Sequence, residues 1–134
     1  MPHVVVQYTA NLEPELDMPA LCRVIAEALI AQTDEGGKPL FPIGGTRVLA
    51  YPAHAYAVAD GKGDHGFCYI NIRIAAGRSA ASQKRAGDAV LQEVQARFAQ
   101  AFEKRRIGVT IQIDESPGQV YDARHSNLHP LFNR

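Results

Sequence analysis

The sequence predicts an α+β (α/β) fold: tandem β-α-β repeats that form a four-stranded sheet with two helices on one face. Three observations carry this expectation. Runs of β-branched residues recur four times, two longer stretches space their apolar residues at three and four positions, and the two kinds alternate as strand, helix, strand, twice over. Right-handed crossovers then place both helices on the same side. Each unit takes about half of the 134 residues, so repeats at about 2–60 and 65–116, with a tail at 117–134, make up a single domain.

The first strand covers residues 3–8, where Val4, Val5 and Val6 suit a pleated surface and the unbroken apolar run predicts burial on both faces. After a loop at 9–16, Asp17 caps a helix that carries Pro19 in its first turn, where the backbone N–H has no helical partner anyway. Leu21, Val24, Ile25, Ala28 and Leu29 form its apolar stripe, and the pattern ends near Thr33. Residues 34–39 are loop chemistry. A second strand runs from Thr46 to about Val58 through Arg47, Val48, Leu49, Tyr51 and Tyr56, with Pro52 confining it to an edge, bend or bulge.

A turn at 59–64 leads to the clearest strand, residues 67–75, where Ile70, Ile72 and Ile74 alternate with Asn71 and Arg73. Ser79 caps the second helix after the Gly77-Arg78-Ser79 turn. Ala86, Val90, Leu91, Val94, Phe98 and Phe102 line its apolar face, and Lys104, Arg105 and Arg106 sit at its C-terminal end, where the helix dipole favours cations. Val109, Ile111 and Ile113 alternate with Thr110 and Gln112 as the fourth strand. The tail stays polar until Leu128, Leu131 and Phe132, which are expected to dock on a neighbouring surface. With helices on one face only, the other face of an isoleucine-rich sheet is left open, which predicts oligomerisation.

Fourteen basic and fourteen acidic residues cancel, so no basic excess points to nucleic acid or an anionic membrane. The apolar runs fall short of the roughly 18–20 residues of a membrane span, and no signal-peptide pattern opens the chain, which makes the cytoplasm the expected compartment. Cys22 and Cys68 form neither a metal spacing nor a disulfide framework and are expected to be buried thiols. The histidines at 3, 54, 65, 125 and 129 show no zinc-site spacing, and no glycine pattern makes a phosphate loop. No metal and no cofactor is expected.

The amino terminus carries the chemistry. Pro2 is small enough for an initiator Met to be removed, which would leave a prolyl secondary amine at the start of an apolar strand. An α-amino group has a reference pKa of about 7.7–8.0, and burial or neighbouring cations lower it further by disfavouring the charged form. A retained Met1 would turn the same nitrogen into an inert amide. His3 sits beside this candidate base, and Phe67 is a candidate for the apolar wall of a pocket.

With this prolyl start, the duplicated β-α-β pattern and the Gly77-Arg78-Ser79 turn, the chain resembles the tautomerase superfamily. Within it, the chain looks most like the 5-carboxymethyl-2-hydroxymuconate isomerase family, on Met1-Pro2-His3, Phe41-Pro42-Ile43-Gly44-Gly45-Thr46-Arg47, Ala59-Asp60-Gly61, Ala76-Gly77-Arg78-Ser79 and His129-Pro130-Leu131-Phe132, spread in order over the whole chain. The resemblance implies a tautomerase/MIF-like fold and a homotrimer whose sheets face inward. It also implies a cofactor-independent isomerase of homoprotocatechuate breakdown, acting on a small carboxylate substrate. By the resemblance Pro2 would be proton acceptor and donor and Arg47 and Arg78 its electrostatic partners; His3 and Phe67 are candidate substrate-binding residues on their positions in the sequence alone. A base that returns its proton suits a dienol-to-ketone shift, and arginines stay charged while they stabilise the oxyanion and grip a carboxylate.

The loop at 34–39 and the Lys62-Gly63 pair are longer than the family pattern, and Pro52 and Tyr56 stand where larger aromatics are expected, so the pocket mouth and the substrate are open to change. The alternatives are another superfamily reaction on a different keto–enol substrate, a hydration or a dehalogenation, or a non-catalytic trimeric module in which Met1 blocks the amine.

Overall fold

A computed structural model describes residues 1–132. The elements are β1 (His3–Thr9), α1 (Met18–Ile30), β2 (Arg47–Ala53), β3 (Gly66–Ala75), α2 (Ala80–Lys104) and β4 (Ile107–Ser116), with single 3-10 turns at Ala10–Leu12, Ile43–Gly45 and His129–Leu131. The strands form one mixed sheet in the order β2-β1-β3-β4. Each β-α-β unit supplies a parallel pair, β1 with β2 and β3 with β4, and the two units join through the antiparallel pair of β1 and β3.

Both helices begin where a capping side chain is available. The Asp17 carboxylate accepts from the Ala20 N–H at 3.0 Å and the Ser79 hydroxyl from the Ser82 N–H at 3.0 Å, each cap being worth about 1 kcal/mol. The core lies between helices and sheet. Val4 and Val6 of β1, Cys68, Ile70 and Ile72 of β3, Ile25 and Leu29 of α1 and Val90 of α2 are fully buried there, each large aliphatic side chain contributing about 1.5–3 kcal/mol on leaving water. Burial pushes the Cys68 thiol up to about 12, so it is an inert filler.

Several expectations are corrected. The isoleucines of β3 face the helices and not the open side. The open face instead mixes half-buried Val5 and exposed Leu49, Tyr51 and Phe67 with a polar ladder, in which Tyr69 donates to Gln112 at 2.7 Å and Asn71 to Asp114 at 2.6 Å. The first strand is therefore fully buried on one face only. β2 stops at Ala53, short of Tyr56 and Val58, because its partner β1 ends at Thr9, the residue paired with Ala53. Helix α1 ends at Ile30 with Ala31 as its cap, before Thr33. Leu91 and Phe102 of α2 are exposed, and Cys22 is half-buried. Leu128, Leu131 and Phe132 remain exposed, although their turn lies against Gly44, where a Cβ would meet the His129 Cα at 3.2 Å.

Candidate active site

The antiparallel pairing of β1 and β3 decides which residues meet the amino terminus. His3 at the start of β1 pairs with Arg47 on one side and Arg73 on the other, so the C-terminal end of β3 lies beside the N-terminal end of β1. β4 runs parallel to β3 and brings Ser116 to the same end, opposite Ala75. Past β3 the chain turns at Gly77, whose φ of 114° suits glycine, and delivers Arg78 before α2 begins. Residues distant in sequence thus surround Met1 and Pro2.

The Arg47 Nε donates to His3 Nδ1 at 2.9 Å, its Nη1 to the Gly45 carbonyl at 3.2 Å and its backbone N–H to the Pro2 carbonyl at 3.3 Å. An imidazole that accepts at Nδ1 is neutral and carries its proton on Nε2. Burial, then the Arg47 and Arg73 charges, hold His3 below its ordinary pKa, which keeps that acceptor available. Arg78 is half-buried. Its Nε donates to the Leu40 carbonyl at 3.1 Å and its Nη1 to the Ala75 carbonyl at 3.0 Å, and its guanidinium lies 4.8 Å from the centre of the Phe41 ring.

The terminal amine belongs to Met1, and Pro2 behind it is buried. The amine's pKa lies below the ordinary 8.0, first through burial and then through the Arg78, Arg47 and Arg124 charges. The Met1 side chain rests on Gly45, where a Cβ would come within 2.7 Å of its Cγ. A cleft of about 340 Å³ opens here, bounded by Met1, His3, Arg47, Arg73, Gln119 and Arg124. With Met1 attached, the Pro2 nitrogen is an amide and holds no proton to transfer.

Pro2, His3, Arg47 and Arg78 are thus brought together at one end of the sheet, and Phe67 is not. Phe67 is the second residue of β3 and its N–H donates to the Thr9 hydroxyl at the far end of β1, about 20 Å from His3 at the ordinary rise per strand residue. There it helps line a separate apolar groove of about 420 Å³ with Tyr8, Tyr56, Val58 and Tyr69. Sequence reading missed Arg73, Arg124 and Gln119. Arg73 carries a signal, since it alternates with isoleucines that must face the helices. Arg124 and Gln119 lie in an irregular tail with no periodicity to place them. Among the described residues no three His, Cys, Asp or Glu side chains gather as metal ligands, and no helix is long and apolar enough to cross a membrane.

The model of the 5-carboxymethyl-2-hydroxymuconate isomerase family matches residues 2–132. The chain is 48% identical to a 5-carboxymethyl-2-hydroxymuconate delta-isomerase of known structure, with a TM-score of 0.94 over 100% of this chain and 94% of the other. A 5-carboxymethyl-2-hydroxymuconate isomerase from Deinococcus radiodurans is 30% identical, with a TM-score of 0.86 over 99% and 95% of the two chains. The 5-carboxymethyl-2-hydroxymuconate Delta-isomerase of Escherichia coli is 28% identical over 98% of this chain and 99% of its own. The fold alone extends to a macrophage migration inhibitory factor-like protein of Entamoeba histolytica, at 16% identity and a TM-score of 0.59.

Proposed function

The chain belongs to the 5-carboxymethyl-2-hydroxymuconate isomerase family and is an isomerase, and from that premise we propose that its reacting base is the nitrogen of Pro2 once Met1 has been removed. The substrate is 5-carboxymethyl-2-hydroxymuconate, a dienol with three carboxylates. The prolyl nitrogen takes the hydroxyl proton, the electron pair moves along the conjugated chain, and the protonated nitrogen returns the proton to a distant carbon. One O–H bond breaks, one C–H bond forms, and nothing is oxidised or reduced. The enzyme works as a homotrimer in the cytoplasm, with the open sheet faces turned inward. Exposed Leu49, Tyr51 and Phe67 on that face support the assembly, and a neighbouring copy would bring its Phe67 end toward this site.

The observation that carries the mechanism is the cleft at the amino terminus, lined by Met1, His3 and Arg47, in which burial and the Arg78, Arg47 and Arg124 charges hold the terminal amine below its ordinary pKa. Burial and the same cations would act in the same direction on a prolyl amine one residue along. A base that titrates near neutrality both accepts and returns a proton with balanced driving force. Arg47 and Arg78 stay protonated, stabilise the developing oxyanion and hold a carboxylate without competing for the proton. Removing Met1 also vacates the space against Gly45 that its side chain fills, next to Arg47.

Two measurements test this. Intact mass of the protein purified from its native host should show a chain lacking Met1, and ultraviolet spectroscopy should show ketonisation well above the spontaneous rate. A protein that retains Met1 and still isomerises at full rate removes Pro2 from the mechanism. A processed protein with no activity on dienol dicarboxylates or tricarboxylates sinks the substrate assignment.

A further inference from the structure

We propose that Arg73 and Arg124 form a second carboxylate-binding pair in the cleft, which receives the pendant carboxymethyl group and makes the enzyme selective for a tricarboxylate dienol over the dicarboxylate that lacks this arm. The inference rests on the isomerase reading and adds specificity residues to it.

The four arginines near the amino terminus are not equally committed. Arg47 and Arg78 each place two guanidinium N–H groups on protein acceptors, which fixes them in position with part of each fork left for the reacting end of a ligand. Arg73 commits one, to the Ser116 hydroxyl at 3.3 Å. Among the described residues Arg124 donates no hydrogen bond, and neither Arg73 nor Arg124 is in an ion pair. Both line the cleft, with Arg47 and the terminal amine, against one acid, Asp122. A small cavity with three guanidiniums and an amine facing one carboxylate is short of anions, and a multiply charged carboxylate supplies them.

The chain around Arg73 is built to hold it at the cleft, and the turn that follows brings Arg124 to the same cleft. The buried Ser116 hydroxyl accepts from Arg73 and, at 3.0 Å, from the Gln119 side-chain amide. It also accepts from the Gly118 N–H at 3.4 Å, and Gly118 has a φ of 118° that reverses the chain at this point. This turn sends the tail back across the end of the sheet and not away from it. The Arg124 charge reaches the terminal amine, which places it within range of anything bound there. At about 340 Å³ the cleft falls in the size range of small-molecule sites.

The test compares the Met1-processed wild type with Arg73→Gln, Arg124→Ala and Arg124→Lys on two substrates, 5-carboxymethyl-2-hydroxymuconate and 2-hydroxymuconate. Both side chains are exposed, so the variants fold, and thermal melts check this. Assayed at about pH 8.5, where the base stays neutral after a cation is lost, KM for the tricarboxylate should rise roughly tenfold or more in Arg73→Gln and Arg124→Ala, the loss of one charge-assisted hydrogen bond, while kcat stays within about twofold. For the dicarboxylate, KM should barely move. Arg124→Lys should recover part of the loss, since it restores charge without the fork. A wild type inactive on both substrates overturns the isomerase reading and the pair with it. An active wild type whose preference is unchanged in Arg124→Ala and Arg73→Gln overturns the pair alone.

Discussion

The two β-α-β units start at opposite ends of the one sheet, and the two ends treat charge in opposite ways. At the start of β3, Arg105 is clasped by Glu15 at 3.0 Å and by Asp64, with side-chain exposures of only 16% for Arg105 and 14% for Glu15. Asn11 ties Asp64 and the His65 carbonyl into the same cluster, at 3.0 and 2.9 Å. These carboxylates hold Arg105 above its ordinary pKa. At the start of β1, among the described residues, Arg47, Arg73, Arg78 and Arg124 have no ion-pair partner, and the bonds that Arg47, Arg73 and Arg78 make go to neutral acceptors. Even matching positions diverge: Arg47 opens β2 opposite His3, whereas Ile107 opens β4 opposite Gly66. A cation given a carboxylate becomes a staple, and its field is spent locally. A cation given only carbonyls and a neutral imidazole keeps its field, which then acts on the nearby amine and on any anion that enters.

The contrast breaks most visibly through substitutions that should each damage one end and spare the other. Arg47→Ala should lower kcat/KM by about 10²–10³-fold, the usual cost of removing one donor aimed at developing charge, with almost no change in the urea midpoint because Arg47 is exposed. Next in size, Arg105→Ala should cost about 2 kcal/mol of stability. That is less than the ~3–5 kcal/mol of a fully enclosed pair, since the partners keep some solvent, and kcat/KM should stay within about twofold. Steady-state kinetics and urea titration on both variants decide it. An Arg47→Ala that unfolds the protein, or an Arg105→Ala that abolishes turnover, would mean that the two ends are not divided in this way.

The sequence displays the pieces of this contrast but not their placement. The period-two runs of β3 and β4 and the Asp17 and Ser79 caps are local signals found where the spacing puts them, and of the edge, bend or bulge that Pro52 allows the strand takes the edge. Tyr56 and Val58 mislead because β-propensity persists after the neighbouring strand has run out at Thr9. Pattern alone is also silent on whether β1 and β3 run parallel or antiparallel, and that one choice brings Arg73, Arg78 and the tail to Pro2 while sending Phe67 to the other end. Arg78 was reachable only through the resemblance of its Gly-Arg-Ser turn. Arg124 lies in a stretch whose geometry comes from the Ser116 hydroxyl and the reversal at Gly118, neither of which leaves a periodic trace.

The smallest expected effect makes one end resemble the other. Gln119 lines the cleft and donates to Ser116 at 3.0 Å, so Gln119→Glu places a carboxylate among Arg73, Arg124 and the amine with little change in shape. In the proposed mechanism the base, the Pro2 nitrogen, works in its neutral form. Burial and the cations hold the Met1 amine below the ordinary 8.0, and the same surroundings would lower a prolyl amine in its place, so kcat/KM should climb with pH through that lowered value and fall away as the amine protonates below it. An added carboxylate favours the protonated amine and cancels part of the cationic field, which raises the pKa by up to about one unit, or about 1.4 kcal/mol. Gln119→Glu should therefore match the wild type near pH 8.5 and lose activity near pH 6. Gln119→Lys should shift the limb the other way, and 1 M salt should shrink both shifts because the cleft is open to solvent. Two variants whose pH profiles both overlie that of the wild type would mean that burial alone, and not the unpaired charge at this end of the sheet, sets the base.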